Sequence, residues 1–197
     1  MPEINQHGQT VNDIVPDWKC ARALTRTLLT GQYCRLESLD ADRHSADLFE
    51  AYALGDDSDW TWLASTQPVS VEATAHWVLG KVLDDDLVPF AVIDLRTEKA
   101  VGLVSYMAIE RFQGSVEIGH VTWSRRMKGT RVGTEAVWLL LKNAFEHQYR
   151  RLECEVRFDE HRLTQRGGAA GVCLGRAPAP EAGAQRTQPR QRYAFDY

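Results

Sequence analysis

Four cations and two glycines fall within ten residues at Arg125–Thr134: Arg125, Arg126, Lys128 and Arg131, beside Gly129 and Gly133. The segment lies between an apolar strand-like run and a helical one. Basic residues and glycines at a helix N-terminus suit an anion. First-turn N–H groups point outward, the dipole favours negative charge, and glycine lets a diphosphate approach the backbone. The same residues would serve equally well as a solvated basic turn, and both readings stand at this level. The GxxxxGK[ST] spacing of a Walker loop is absent, as is GxGxxG.

The elements that must position this loop follow from periodicity. YCRLESL alternates and is rich in strand formers. From Asp40 to Leu54, Ala46, Leu48, Phe49, Tyr52 and Ala53 recur at helical spacing, with Asp40 as N-cap and Gly55 as stop. An acidic loop with two tryptophans, DDSDWTWL, comes next. Ser70 opens a second helix that runs to Asp84-Asp85-Asp86, with Glu72 suited to its dipole. PFAVIDL and KAVGLVSYMAI form a hairpin through Arg96-Thr97-Glu98. SVEIGHVTW follows the turn at Gln113-Gly114. TEAVWLLLKNAFEHQY is a helix, and RRLECEV a last strand. A strand, loop, helix and strand in succession call for a crossover with the loop at the strand's carboxyl end.

Bulk properties exclude several classes. The chain has 197 residues and a formal net charge of -4, so its overall field gives no reason to expect nucleic acid or an anionic membrane as partner. No apolar stretch approaches bilayer length, and the N-terminus lacks the basic and apolar regions of a signal peptide, which makes the cytoplasm the expected location. Cys20, Cys34, Cys154 and Cys173 are scattered without a CxxC pair, so neither a metal site nor a disulfide framework is expected.

The run GSVEIGHVTWSRRMKGTRVGTEAVWLLLKNAFEHQYRRLE resembles the RimJ/RimL-like branch of the GNAT superfamily of N-acetyltransferases. Its markers are a Glu-Ile-Gly strand, the basic loop, a Thr-Glu-Ala helix start and Tyr-Arg-Arg before a strand. The likeness continues upstream through GQTVNDIVPDW, CRLESL, DWTWL, PFAVID and VGLVSYM, over most of residues 8–155. It implies the three-layer GNAT (acyl-CoA N-acyltransferase) α+β fold, a mixed, mostly antiparallel sheet flanked by helices. The domain would cover residues 32–155, after an irregular lead-in at 1–31. Acetyl-CoA would be co-substrate, a protein N-terminus or small amine the acceptor, and a homodimer a further option; no metal is implied.

In such proteins a Gln/Arg-x-x-Gly-x-Gly/Ala loop holds the CoA diphosphate. Here that frame falls on Lys128-x-x-Arg131-x-Gly133, with Lys128 in place of Gln or Arg and Arg131 in place of Gly. The resemblance implies contacts from the amides of Gly129, Thr130, Arg131, Val132, Gly133 and Thr134, and from the Lys128 and Arg131 side chains. Backbone groups of His120, Val121, Thr122 and Trp123 would flank the pantetheine arm. Direct acyl transfer needs a base for the amine and donors for the thioester oxygen. Glu117, on the strand before the loop, is the first candidate base and His120 the second; either would also fit a structural role. Trp60 and Trp62 would line an acceptor pocket or pack in the core. Two other readings are a CoA-binding remnant without activity and an unrelated α/β nucleotide-binding protein.

After Val156 the composition changes. The last 41 residues contain no lysine and are crowded with Arg, Ala, Gly, Pro and Gln, without helical or strand periodicity. Residues 156–197 therefore read as a disordered, non-family tail. The family expects Asn-x-x-Ser-x-x-Ala and Leu-Gly-Phe here, then two strands. Removing one base near codon 155 lets the codons of residues 159–174 read Met-Asn-Thr-Ala-Ser-Arg-Asn-Ala-Ala-Glu-Arg-Leu-Gly-Phe-Val-Trp. A single-base insertion near codon 155 would have displaced that motif, and its removal restores it in its place. On this reading the C-terminal strands are missing and the sheet ends on an unpaired edge. Resequencing the codons around 155 tests it.

Overall fold

The computed structural model describes residues 3–11, 17–157 and 190–196. Two short strands, β1 (Glu3–Ile4) and β2 (Thr10–Val11), form a separate ribbon. The main sheet contains β3 (Leu29–Thr30), β4 (Cys34–Ser38), β5 (Val88–Asp94), β6 (Lys99–Glu110), β7 (Ser115–Trp123), β8 (Arg151–Arg157) and β9 (Arg190–Asp196), neighbours in that order. Every pair is antiparallel except β7–β8. The helices are α1 (Ala41–Tyr52), α2 (Val71–Val82) and α3 (Arg131–Glu146), and a 3-10 helix covers Asp57–Trp60.

Local chemistry explains the boundaries. Asp40 caps α1 by accepting from Arg43 N at 2.9 Å, and Ser70 Oγ caps α2 by accepting from Ala73 N at 3.1 Å. The β5–β6 hairpin turns on Asp94, which accepts from the amides of Arg96, Thr97 and Glu98. The helices lie on opposite faces. Ala136, Leu140 and Ala144 of α3 pack with Phe90, Val92, Val104 and Ile118. Leu48 and Tyr52 of α1 and Val78 of α2 pack with Ala91, Ile93 and Leu103 on the other face. The result is the expected three-layer GNAT arrangement, with α3 as the crossover between the parallel pair.

Residues 17–28 form neither strand nor helix, yet Ala21 and Leu24 are buried in the α3-side core. Trp18 Nε1 donates to the Phe112 carbonyl at 2.7 Å.

The edge beyond β8 is not left open, which corrects the expectation of an unpaired edge. β9 pairs with all seven residues of β8, Arg151↔Asp196 through Arg157↔Arg190. Arg190 and Arg192 alternate with Gln191, Tyr193 and Phe195, a period of two that composition masked. One strand, not two, follows β8 among the described residues. Residues 158–189, with Cys173 and the restored-frame motif, lie outside them.

Candidate functional site

β7 and β8 are hydrogen-bonded neighbours only at Ser115↔Arg151, Val116↔Leu152 and Glu117↔Glu153. Past Glu117 no pairing joins the two parallel strands among the described residues, and that edge of β7 runs on unpaired by β8 towards the loop that leads to α3. On its other side β7 carries a bulge. Leu103 pairs with Thr122 but Ser105 with Gly119, so three steps on β7 oppose two on β6. His120, at the bulge, has φ +49°. This left-handed backbone is uncommon for histidine and re-aims the chain along that edge.

Glu117 is buried, and its Oε1 lies 3.7 Å from where a Cβ on Gly119 would stand. The carboxylate therefore shares the α1–α2 face of the sheet with Gly119. The His120 ring is on that face too, since its Nδ1 lies 2.9 Å from Nζ of Lys81 in α2. Burial, then the Lys81 charge, holds the imidazole below its ordinary proton affinity, with Asp84 opposing. The two candidate bases thus face one side of β7. Val121 packs into the α3-side core, and the Thr122 carbonyl accepts from the buried Tyr52 hydroxyl at 3.0 Å. The Trp123 indole N–H is buried with no hydrogen-bond partner among the described residues.

The loop that follows leaves the first amides of α3 without a side-chain cap. Thr130 is the N-cap of α3 but offers no side-chain cap; its Oγ1 donates to the Met127 carbonyl at 2.9 Å. The first intrahelical bond is Thr134 N to Thr130 O at 3.3 Å, which leaves the amides of Arg131, Val132 and Gly133 facing out of the helix. Gly129 has φ +71°. At Gly133 an added Cβ would stand 2.9 Å from the Met127 carbonyl and 3.2 Å from the Trp123 ring, so glycine permits the close approach of α3 to this turn.

The loop's cations are largely engaged. Arg125 pairs with Asp56 at 2.7 Å and Asp59 at 2.8 Å, Lys128 with Asp59 at 2.7 Å, and Arg126 with Glu50 at 2.8 Å. Arg131 instead lies over the Tyr33 ring, 5.3 Å from its centroid, and donates to the Tyr33 hydroxyl at 3.1 Å. Of the two side chains expected to draw the anion, Lys128 is bound to Asp59 of the DDSD segment, whereas Arg131 is not. Amides and Arg131 remain as donors. Opposite charge on DDSD and SRRMK could have suggested this contact from the sequence. Nothing local could have found Lys81, Tyr52 or Tyr33.

Trp60 packs edge-on against Tyr52 at 5.2 Å and Trp77 at 5.7 Å, and is a core residue. Trp62 is half-buried. Tyr52→Phe should cost about 1 kcal/mol in urea unfolding, because the Thr122 carbonyl loses its buried donor. An unchanged midpoint would show that the bulge needs no tie to α1. Cys34 is inert: burial, with Glu135 next, pushes its thiol up to about 12. Among the described residues no group of three or more His, Cys, Asp or Glu could hold a metal, and no helix is long and apolar enough to cross a membrane.

The parallel pairing of the sheet thus ends close to an uncapped helix N-terminus. The acetyltransferase (GNAT) domain model matches residues 35–165, and the chain belongs to that family. Among solved structures it is similar to a GCN5-related N-acetyltransferase from Brucella melitensis, with 26% identity and TM-score 0.83, covering 92% of this chain and 84% of that one. It is also similar to a probable acetyltransferase (GNAT family) from Chromobacterium violaceum, with 28% identity and TM-score 0.81, covering 94% of each. The fold recurs in the microcin C7 self-immunity acetyltransferase MccE, solved with acetyl-CoA and AMP, at 12% identity and TM-score 0.68 over 85% of this chain and 94% of that one. No curated protein sequence matches.

Proposed function

We propose that the chain transfers an acetyl group from acetyl-CoA to a primary amine, a protein N-terminus or a small amine. The observation that carries this is the loss of β7–β8 pairing after Glu117 beside the uncapped amides of Arg131, Val132 and Gly133. These residues fit the ligand: the amides and Arg131 suit a diphosphate, and the open edge of β7 suits the amide-bearing pantetheine arm. Acetyl-CoA would supply the acyl group as a thioester. A β7 amide on the edge unpaired by β8 faces the charge that develops on the thioester oxygen. Glu117 takes the amine's proton, directly or through water, on the α1–α2 face. The ligand's presence in MccE is a property of that protein and supports the reading by fold alone.

A second reading, a CoA-binding chain without turnover, rests on the change of composition after Val156, close to the end of the family match at residue 165. The family's acid would lie in that segment. Calorimetric titration with acetyl-CoA and thiol release over a panel of amines separate the two, run beside the frame-restored chain. Transfer predicts saturable binding and amine-dependent thiol release. Binding without release from any amine, recovered in the restored chain, would establish the second reading. No binding by either chain would reject both.

A further inference from the structure

The structure brings together two groups that stand 39 residues apart in the chain, Nζ of Lys81 in the last turn of α2 and Nδ1 of His120 at the β7 bulge, 2.9 Å from one another. The charged groups acting on this ring are Lys81 and, beyond the end of α2, Asp84; Glu117 shares its strand and its face. An ammonium has donors and no acceptor, so Nδ1 must accept. The single proton of a neutral imidazole then resides on Nε2.

We propose that Lys81 is a positioning residue that fixes His120 in its Nε2–H tautomer, making His120 a hydrogen-bond donor on the α1–α2 face and leaving proton removal to Glu117. The assignment rests on the acetyl-transfer reading for its functional half. It divides the two candidate bases by role. A ring held at Nδ1 by a cation is a poor acceptor for a second proton, because the imidazolium would stand beside an ammonium with only Asp84 in opposition. The same ring is a well-oriented donor. The positive φ of His120 and the Lys81 contact fix it from both ends, backbone and side chain.

The test uses the whole ligand-free chain and 15N NMR of the His120 ring, in the parent, Lys81→Met and Lys81→Arg. The parent should show the Nε2–H tautomer and titrate below an ordinary histidine. Lys81→Met should raise that titration and populate both tautomers, while Lys81→Arg should keep Nε2–H. In the thiol-release assay, His120→Gln retains an N–H near the Nε2 position and should keep kcat/KM within about tenfold of the parent. His120→Ala removes the donor altogether and should fall about 100-fold. Both variants carry the same backbone strain, so equal melting curves would place the difference in chemistry. An Nδ1–H parent tautomer, a titration unmoved in Lys81→Met, or a glutamine variant as poor as alanine would each overturn the assignment. The NMR arm needs no turnover, so a chain that transfers nothing but shows the expected tautomer refutes acetyl transfer and leaves the Lys81 contact standing.

Discussion

Glu135→Ala should lower the stability of the chain by about 3 kcal/mol in denaturant unfolding, the largest loss expected from a single side chain here. Glu135, in the first turns of α3, accepts from three successive amides, Gln32 N at 2.7 Å, Tyr33 N at 2.6 Å and Cys34 N at 2.8 Å. These amides run from the β3–β4 turn into the first residue of β4, so one carboxylate ties the sheet's early strands to the helix that follows the basic loop. A charged acceptor contributes about 1.5–3 kcal/mol per hydrogen bond; partial exposure of this site brings the total well below three such bonds. Glu135→Gln keeps one acceptor oxygen and should lose about half as much. The pH dependence has a definite sign. Burial alone would raise this carboxyl, but the amide bonds hold it below its ordinary value of 4.5. Its contribution is therefore fully present above that value and is lost as pH falls through the lower, folded one. In Glu135→Ala the acid side of the stability curve should flatten. Unchanged stability would show that these three amides are equally well served by water.

The second large effect concerns chemistry. Glu117→Gln should reduce kcat/KM for acetyl transfer by about 100- to 1,000-fold while leaving acetyl-CoA affinity within about threefold. Glutamine has the shape of glutamate, so β7 keeps its pairing with Met107 and Glu153. Only the capacity to take a proton is removed. A structural carboxylate gives the opposite pattern, with stability falling and turnover per folded molecule intact. Measuring kcat/KM, calorimetric affinity and the unfolding midpoint on one preparation distinguishes the two.

The sequence was most legible where local rules govern. Asp40 and Ser70 announce the helices they cap, and alternation marks the meander strands. The basic, glycine-bearing turn lies at the head of α3, and its outward amides follow from helix geometry alone. The bulge was illegible: nothing in Ile-Gly-His-Val says that histidine rather than glycine takes the positive φ. The state of the cations was misleading for a related reason. Arg125 and Lys128 look available in the chain, but the fold brings Asp59, 66 and 69 residues away, against them. Burial of Ala21 and Leu24 depends on tertiary packing in a segment without periodicity. β9 was missed because arginine-rich composition obscured a short alternation that pairing with β8 makes plain.

Backbone amide 15N–1H spectra recorded through a titration with acetyl-CoA bear most directly on this site. The expected result is saturable shifts concentrated at Arg131, Val132 and Gly133 and along β7 from Ile118 to Trp123. Shifts confined elsewhere, for example to the surface cavity lined by Glu50, Asp94 and Lys99, would contradict the account, as would spectra that do not move at all.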